Sequence, residues 1–146
     1  MLELAEVKSS DMVYDLGCGD GRIIIAAAQR YGARGVGIDI DPALIREARK
    51  NASQAGVDDR VEFREQDLFQ ANFREATVVA LFLLPALNQR LRPQLEALKP
   101  GTRIISNTFE IEGWKPVREI DVQNDPDDNY YFGSHRLLLW IVPDRK

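Results

Sequence analysis

Cysteine is almost missing from this chain. Cys18 stands alone, so no disulfide can form within the sequence, and a reducing compartment, the cytoplasm, is the expected setting. Long apolar runs are missing too. The longest, ATVVALFLLPAL at 76–87, falls short of the roughly 20 residues that span a bilayer and contains Pro85, so it reads as a buried strand leading into a helix. The opening MLELAEVKSS has neither the basic start nor the continuous apolar stretch of a secretion signal. Positive charge is in short supply: 19 Lys and Arg against 23 Asp and Glu give a formal charge of −4. That balance opposes a surface built to neutralise nucleic-acid phosphates. The single histidine, His135, falls inside a strand pattern far from the glycine-rich loop and reads as structural. No segment repeats at a fixed period or is low in complexity.

What is present fits one domain over residues 1–146, large enough to bury roughly 70% of its unfolded surface. Strand-like and helix-like runs alternate. MVYDL (12–16) leads to RIIIAAAQRYG, RGVGIDI (34–40) to PALIREARKNASQAG, and RVEFRE (60–65) to the buried run ATVVALFL. PALNQRLRPQLEALK follows, with an internal Pro93 expected to bend or divide it, and then TRIISNTF (102–109). This rhythm predicts right-handed βαβ units and a parallel sheet covered on both faces. It then breaks: WKPVREIDV and YFGSHRLLLWIV are separated only by the turn-rich QNDPDDN, so they should pair antiparallel at one edge. The expected architecture is a seven-stranded α/β sheet, six strands parallel and one antiparallel. Trp114 and Trp140 read as core or edge packing. Arg90, Arg92, Lys99 and Arg103 form a basic region and Asp121, Asp125, Asp127 and Asp128 an acidic one. These are two solvated faces, or else the second is an acidic rim that attracts a basic substrate.

The informative stretch is VYDLGCGDGR (13–22), where a buried strand breaks into Gly17, Gly19 and Gly21 just ahead of a helix. In an open parallel sheet, ligands lie beyond the carboxyl ends of the strands where strand order reverses, and the first strand borders that place. A dinucleotide fingerprint starting at Gly17 needs glycine at 22, which is Arg22; one starting at Gly19 needs it at 24, which is Ile24. The phosphate-binding G-x-x-x-x-G-K-[ST] is absent as well. Asp39 ends the second strand, where a carboxylate can accept hydrogen bonds from both ribose hydroxyls. Each acid also has a plainer reading: Asp15 could tie down its own loop, Asp39 or Asp41 could cap the helix at Pro42, and Asp67 could stabilise a turn. Asp41, directly before Pro42, is the better cap.

The pattern D-x-G-x-G-x-G that remains resembles the first motif of class I S-adenosylmethionine-dependent methyltransferases. Nearly the whole chain, through GVGIDIDP, VEFREQDLF, LFLLPALNQRLRPQLEALKPGTRIIS, GWKPV and LLLWIVP, is similar to the small protein-lysine methyltransferase family. That family includes the mitochondrial enzymes acting on ATP synthase subunit c and the adenine nucleotide carrier. The resemblance implies a Rossmann-like class I sheet and S-adenosylmethionine as cofactor. It implies a cofactor site of Asp15, Gly17, Cys18, Gly19, Gly21, Asp39, Ile40, Asp67, Leu68 and Leu83, with Asp67 on the adenine amino group, the Leu68 amide facing the ring and Asp15 near the sulfonium and ammonium end. Leu83, Leu84 and Pro85 would wall the acceptor channel and Asn88 would orient the amine; the plainer reading of Asn88 is an exposed polar residue in a first helical turn. Two departures stand out: the chain opens at MLELAEV without the lead segment of relatives, and Ser106, Asn107, Thr108 and Phe109 replace a Ser-His-Asp-Phe-like sequence. The expected partner is a protein lysine. Alternatives are a small-molecule methyltransferase and a cofactor-binding module that needs a partner.

Overall fold

The computed structural model describes residues 1–123 and 134–144. Asp125, Asp127 and Asp128 of the turn-rich loop lie outside the described residues, as does the side chain of His135.

The alternation read from the sequence is realised. In chain order the elements are β1 (Met12–Leu16), α1 (Arg22–Tyr31), β2 (Arg34–Asp39), α2 (Pro42–Gln54), β3 (Val61–Glu65), a 3-10 turn (Leu68–Gln70), β4 (Val78–Leu81), α3 (Pro85–Glu96), β5 (Arg103–Asn107), β6 (Arg118–Gln123) and β7 (Ser134–Ile141). They build one sheet in the order β3-β2-β1-β4-β5-β7-β6. β1 to β5 are mutually parallel, β7 runs antiparallel to β5, and β6 runs antiparallel to β7. Six strands therefore share one direction and β7 alone opposes them. Strand order reverses at β1, which has β2 on one side and β4 on the other. A ligand crevice belongs beyond its carboxyl end.

Side chains alternate across the sheet and feed two cores. Val13, Val78, Ala80 and Ile105 face α1, α2 and the buried Leu2, Leu4 and Val7 of the first segment. Tyr14, Val79, Leu81 and Ile104 face Leu91 and Leu95 of α3 on the other side. Trp140, fully buried, donates its indole N–H to the Trp114 carbonyl at 2.8 Å, which satisfies the ring's polar atom inside that second core. No helix among the described residues is long and apolar enough to cross a membrane.

Helix boundaries follow local chemistry. Asp41 accepts from the Ala43 amide at 2.9 Å and caps α2, with Pro42 in the first turn. α1 ends on Gly32 at φ 70°, whose amide turns back to the carbonyls of the last turn. Pro93 does not divide α3, which continues through it to Glu96. The carbonyl that loses its partner belongs to Gln89, exposed like Pro93 itself, so water can replace the missing bond.

The three arginines of the expected basic region make contacts within the chain, while Lys99 is exposed. Arg90 lies over the Phe69 ring at 3.8 Å, and Arg92 pairs with Glu96 and donates to the Glu112 carbonyl at 2.7 Å. Arg103 is drawn beneath the first segment. It donates to the carbonyls of Ala5 and Glu6 at 2.7 and 3.0 Å and pairs with the buried Asp11.

Candidate active site

β1 delivers its chain to the glycine loop at the centre of the sheet. Gly17, Gly19 and Gly21 sit at φ 86°, 55° and 84°, the left-handed region that side chains resist. The sequence reading had all three cleared for a ligand, and Gly21 departs from it. A Cβ there would lie 2.7 Å from the Phe63 ring and 3.0 Å from Ala48, so its bareness lets β3 and α2 close on the loop. Gly17 is exposed, yet its amide and that of Cys18 both donate to the Ile38 carbonyl, at 2.8 and 2.9 Å. The loop is fixed to the end of β2 by its own backbone.

Asp39 completes that fixation. One carboxylate oxygen accepts from the Gly19 amide at 3.0 Å and the other from the Asp41 amide at 3.0 Å. The carboxylate is half-buried and the next side chain, Ile40, is 71% exposed, an apolar surface beside the acid at the rim. Asp67, at the end of β3, accepts from the Phe69 amide at 2.9 Å and caps the 3-10 turn that begins at Leu68. Its plainer role is therefore real, and it still stands at the strand end required of an adenine contact. Asp15 is buried under the loop. It borders a cavity of about 160 Å³ together with Met1, Gly17, Gly19, Arg22 and Phe82.

Asp15 lines this cavity, and Asp20 and Asp39 lie close enough to act on Cys18. Burial pushes the Cys18 thiol well above its usual range, and the charges of Asp15, Asp39 and Asp20 push the same way. Burial opposes charge of either sign, and it is the share contributed by the carboxylates that favours a cation such as a sulfonium. Arg22 is the counterweight: it pairs with Asp20 at 2.7 Å and borders the cavity, a position that suits a carboxylate carried by the same ligand. In the sequence alone Arg22 stands out only as the residue that breaks the dinucleotide fingerprint. A larger cavity, about 470 Å³, lies between the turn after β3 and the end of α3, away from these groups.

On the acceptor side, β4 is followed by Phe82, Leu83 and Leu84, which lead into Pro85 at the start of α3. Leu83 packs over the glycine loop, with its Cδ2 3.4 Å from where a Cβ on Gly17 would stand. Leu84 is 60% exposed and Pro85 is also exposed, so this lip is apolar and uncovered. Asn88 corrects both of its expected roles. It is fully buried, and its amide nitrogen donates to the carbonyls of Glu110 (3.1 Å) and Phe109 (3.5 Å). Its Oδ1 is sealed from solvent with no hydrogen-bond partner among the described residues. With its donors used on backbone and its acceptor out of reach, it does not orient an incoming amine. A buried acceptor left unpaired costs about 1–3 kcal/mol. The turn it holds carries a second cost: Thr108 sits at φ 73°, where a β-branched residue is strained by roughly 1–3 kcal/mol.

Residues 15–118 match the ANTKMT methyltransferase domain. The chain belongs to this methyltransferase family. The methyltransferase is 45% identical to a protein-lysine N-methyltransferase of Saccharolobus islandicus, over all of this chain and 88% of that protein. It is 35% identical to the adenine nucleotide translocase lysine N-methyltransferase of Mus musculus, over 86% of this chain but only 55% of that longer protein. Among solved structures, one described as an RNA methyltransferase from Salinibacter ruber, in complex with S-adenosylhomocysteine, superposes with a TM-score of 0.90 at 50% identity, covering 99% of this chain and 89% of that one. The fold, the membership and dependence on S-adenosylmethionine therefore agree with the resemblance read from the motifs.

Proposed function

We propose that this methyltransferase acts on the side-chain amine of a protein lysine, with cofactor held between the glycine loop and the carboxylates at the ends of β1, β2 and β3. Asp39 takes the ribose, Ile40 and Leu68 bracket the adenine whose amino group meets Asp67, and Asp15 faces the cationic end beside Gly17, Cys18 and Gly19. Gly21 serves the same site indirectly by letting the loop close. The single observation that carries the cofactor assignment is the glycine loop tied through the Gly19 amide to Asp39 at the end of β2, beside a small cavity lined by Asp15. Bound there, S-adenosylmethionine supplies a methyl on cationic sulfur that departs as a neutral thioether when an amine nitrogen takes the methyl.

Lysine is protonated at neutral pH, and holding it neutral at pH 7 costs about 4.6 kcal/mol against a reference pKa near 10.4. The lip of Phe82, Leu83, Leu84 and Pro85 lowers that cost by removing water from the ammonium, and a cationic neighbour acts in the same direction. The proton then leaves to solvent, and positioning supplies the rest of the acceleration. Support for a protein acceptor comes from the names of the relatives. A second reading, RNA, rests on the description of the Salinibacter structure. Against it, the formal charge of −4 opposes a large phosphate-neutralising surface.

Incubation with methyl-labelled cofactor and a cell lysate decides between them. The expected label survives nuclease, is removed by protease, and is recovered as methyl-lysine after acid hydrolysis. Label lost to nuclease establishes the RNA reading, and label confined to small molecules removes both.

A further inference from the structure

At the carboxyl ends of β4 and β5 two phenyl rings lie against each other. The centroids of Phe82 and Phe109 are 6.0 Å apart and their planes 18° from parallel. Phe82 is 40% exposed and borders the small cavity that also touches Asp15, Gly17 and Gly19. Neither ring belongs to either of the two cores, so packing of the fold does not account for them. The turn that presents Phe109 is held from several sides. The Phe109 carbonyl accepts from the Ser106 hydroxyl at 2.6 Å and from the Asn88 amide at 3.5 Å. The Thr108 amide donates to the Arg136 carbonyl at 2.6 Å, while the Arg136 guanidinium donates to the Thr108 carbonyl at 3.1 Å. A left-handed threonine and a sealed, unpaired Asn88 oxygen are tolerated in the same few residues. The strain lies in the turn that presents Phe109, whose ring stacks on the cavity-lining Phe82, and strain so placed points to function rather than folding.

We propose that Phe82 and Phe109 form the aromatic wall that receives the acceptor lysine, and that Asn88 and Ser106 are positioning residues that set the Phe109 ring. The inference rests on the lysine reading above. A lysine stem is four methylenes, an apolar rod that packs along phenyl faces while its nitrogen reaches the cavity. The same faces attract the charged and methylated forms of the amine through the ring quadrupole, so both arriving ammonium and departing methylammonium find a favourable surface. Asn88 acts through the ring: it fixes the carbonyls on each side of the Phe109–Glu110 peptide.

The test uses the full chain, saturating labelled cofactor and bulk lysate protein as the acceptor, with label counted as methyl-lysine. Phe109→Leu and Phe82→Leu keep the side chains apolar while removing the rings, and Phe109→Ala removes more. The half-saturating concentration of lysate protein is expected to rise about tenfold or more in Phe109→Leu, while its affinity for S-adenosylhomocysteine, measured by calorimetry, stays within about twofold. Asn88→Ala is expected to share this defect with little change in the maximal rate per folded molecule. Combined with Phe109→Ala it should add nothing, because both act through one ring. Methyl-lysine formed by both ring variants at wild-type half-saturation overturns the wall and leaves the lysine reading standing. A parallel loss of S-adenosylhomocysteine affinity in Phe109→Leu also overturns it, by assigning the ring to the cofactor. If wild type makes no methyl-lysine at all, the lysine reading and the wall fall together.

Discussion

The two ends of the parallel strands are built differently. At the amino ends of β1, β4 and β5, Asp11 accepts from the Lys8 amide and the Thr77 hydroxyl, both at 2.8 Å, and pairs with Arg103, which also holds the carbonyls of Ala5 and Glu6. Buried charge there is paired, and it ties the first segment to the sheet. At the carboxyl ends of the same strands lie the left-handed glycines, the strained Thr108, the unpaired Asn88 oxygen and the exposed Phe82 and Leu84. The contrast teaches where this molecule gathers most of its unfavourable local structure: on the side where a ligand would repay it, although Glu6 at the amino ends also sits at φ 54°.

The largest effect that can break this contrast lies at the amino end. Arg103→Ala leaves Asp11 buried and unpaired, an expected loss of about 3–5 kcal/mol in urea unfolding. The affinity of the folded fraction for S-adenosylhomocysteine should stay unchanged; a stable variant that fails to bind would refute the division between the two ends. The same pair sets an acid limit. Burial works to raise the Asp11 carboxyl, but the Lys8 amide, the Thr77 hydroxyl and Arg103 outweigh it and hold it below the ordinary range. A carboxyl lowered by folding stabilises above its unfolded pKa of about 3.9, and that contribution vanishes as pH falls through the lower folded value. Wild type should therefore lose stability more steeply than Arg103→Ala below about pH 4.

Next in size is Asp39→Ala at the carboxyl end. Removing a charged acceptor is worth about 1.5–3 kcal/mol, so affinity for S-adenosylhomocysteine should fall roughly 10–100-fold by calorimetry. Unchanged binding would take the ribose away from Asp39.

The smallest effect sharpens the strain argument. Thr108→Gly relieves the left-handed conformation and should raise thermal stability by about 1 kcal/mol, although it gives up the Thr108 hydroxyl's bond to Asn107 at 2.9 Å. A less stable variant would mean that the turn is not strained.

Local chemistry was the legible part of this protein. The strand-helix alternation, the Asp41 cap before Pro42 and the placing of three acids at three strand ends all depend on residues close together in sequence, and each appears where expected. What was hidden depends on distant partners. Gly21 owes its bareness to Phe63, Asn88 is buried by carbonyls that β5 brings back to α3, and Arg103 is claimed by the first segment. No periodicity announces such meetings. Phe82 and Phe109 each look like an ordinary aromatic until the parallel register of β4 and β5 sets their ends side by side.

The position of β7 has a consequence for the nascent chain. β6 joins the sheet only through β7, which slots between it and β5. At ribosomal speeds of about 5–20 residues per second, β5 emerges roughly a few seconds ahead of the strand that must cover it. Through that interval its open edge is a template for any other extended chain nearby, so slow translation of the final hairpin exposes this protein to aggregation before it can bind anything.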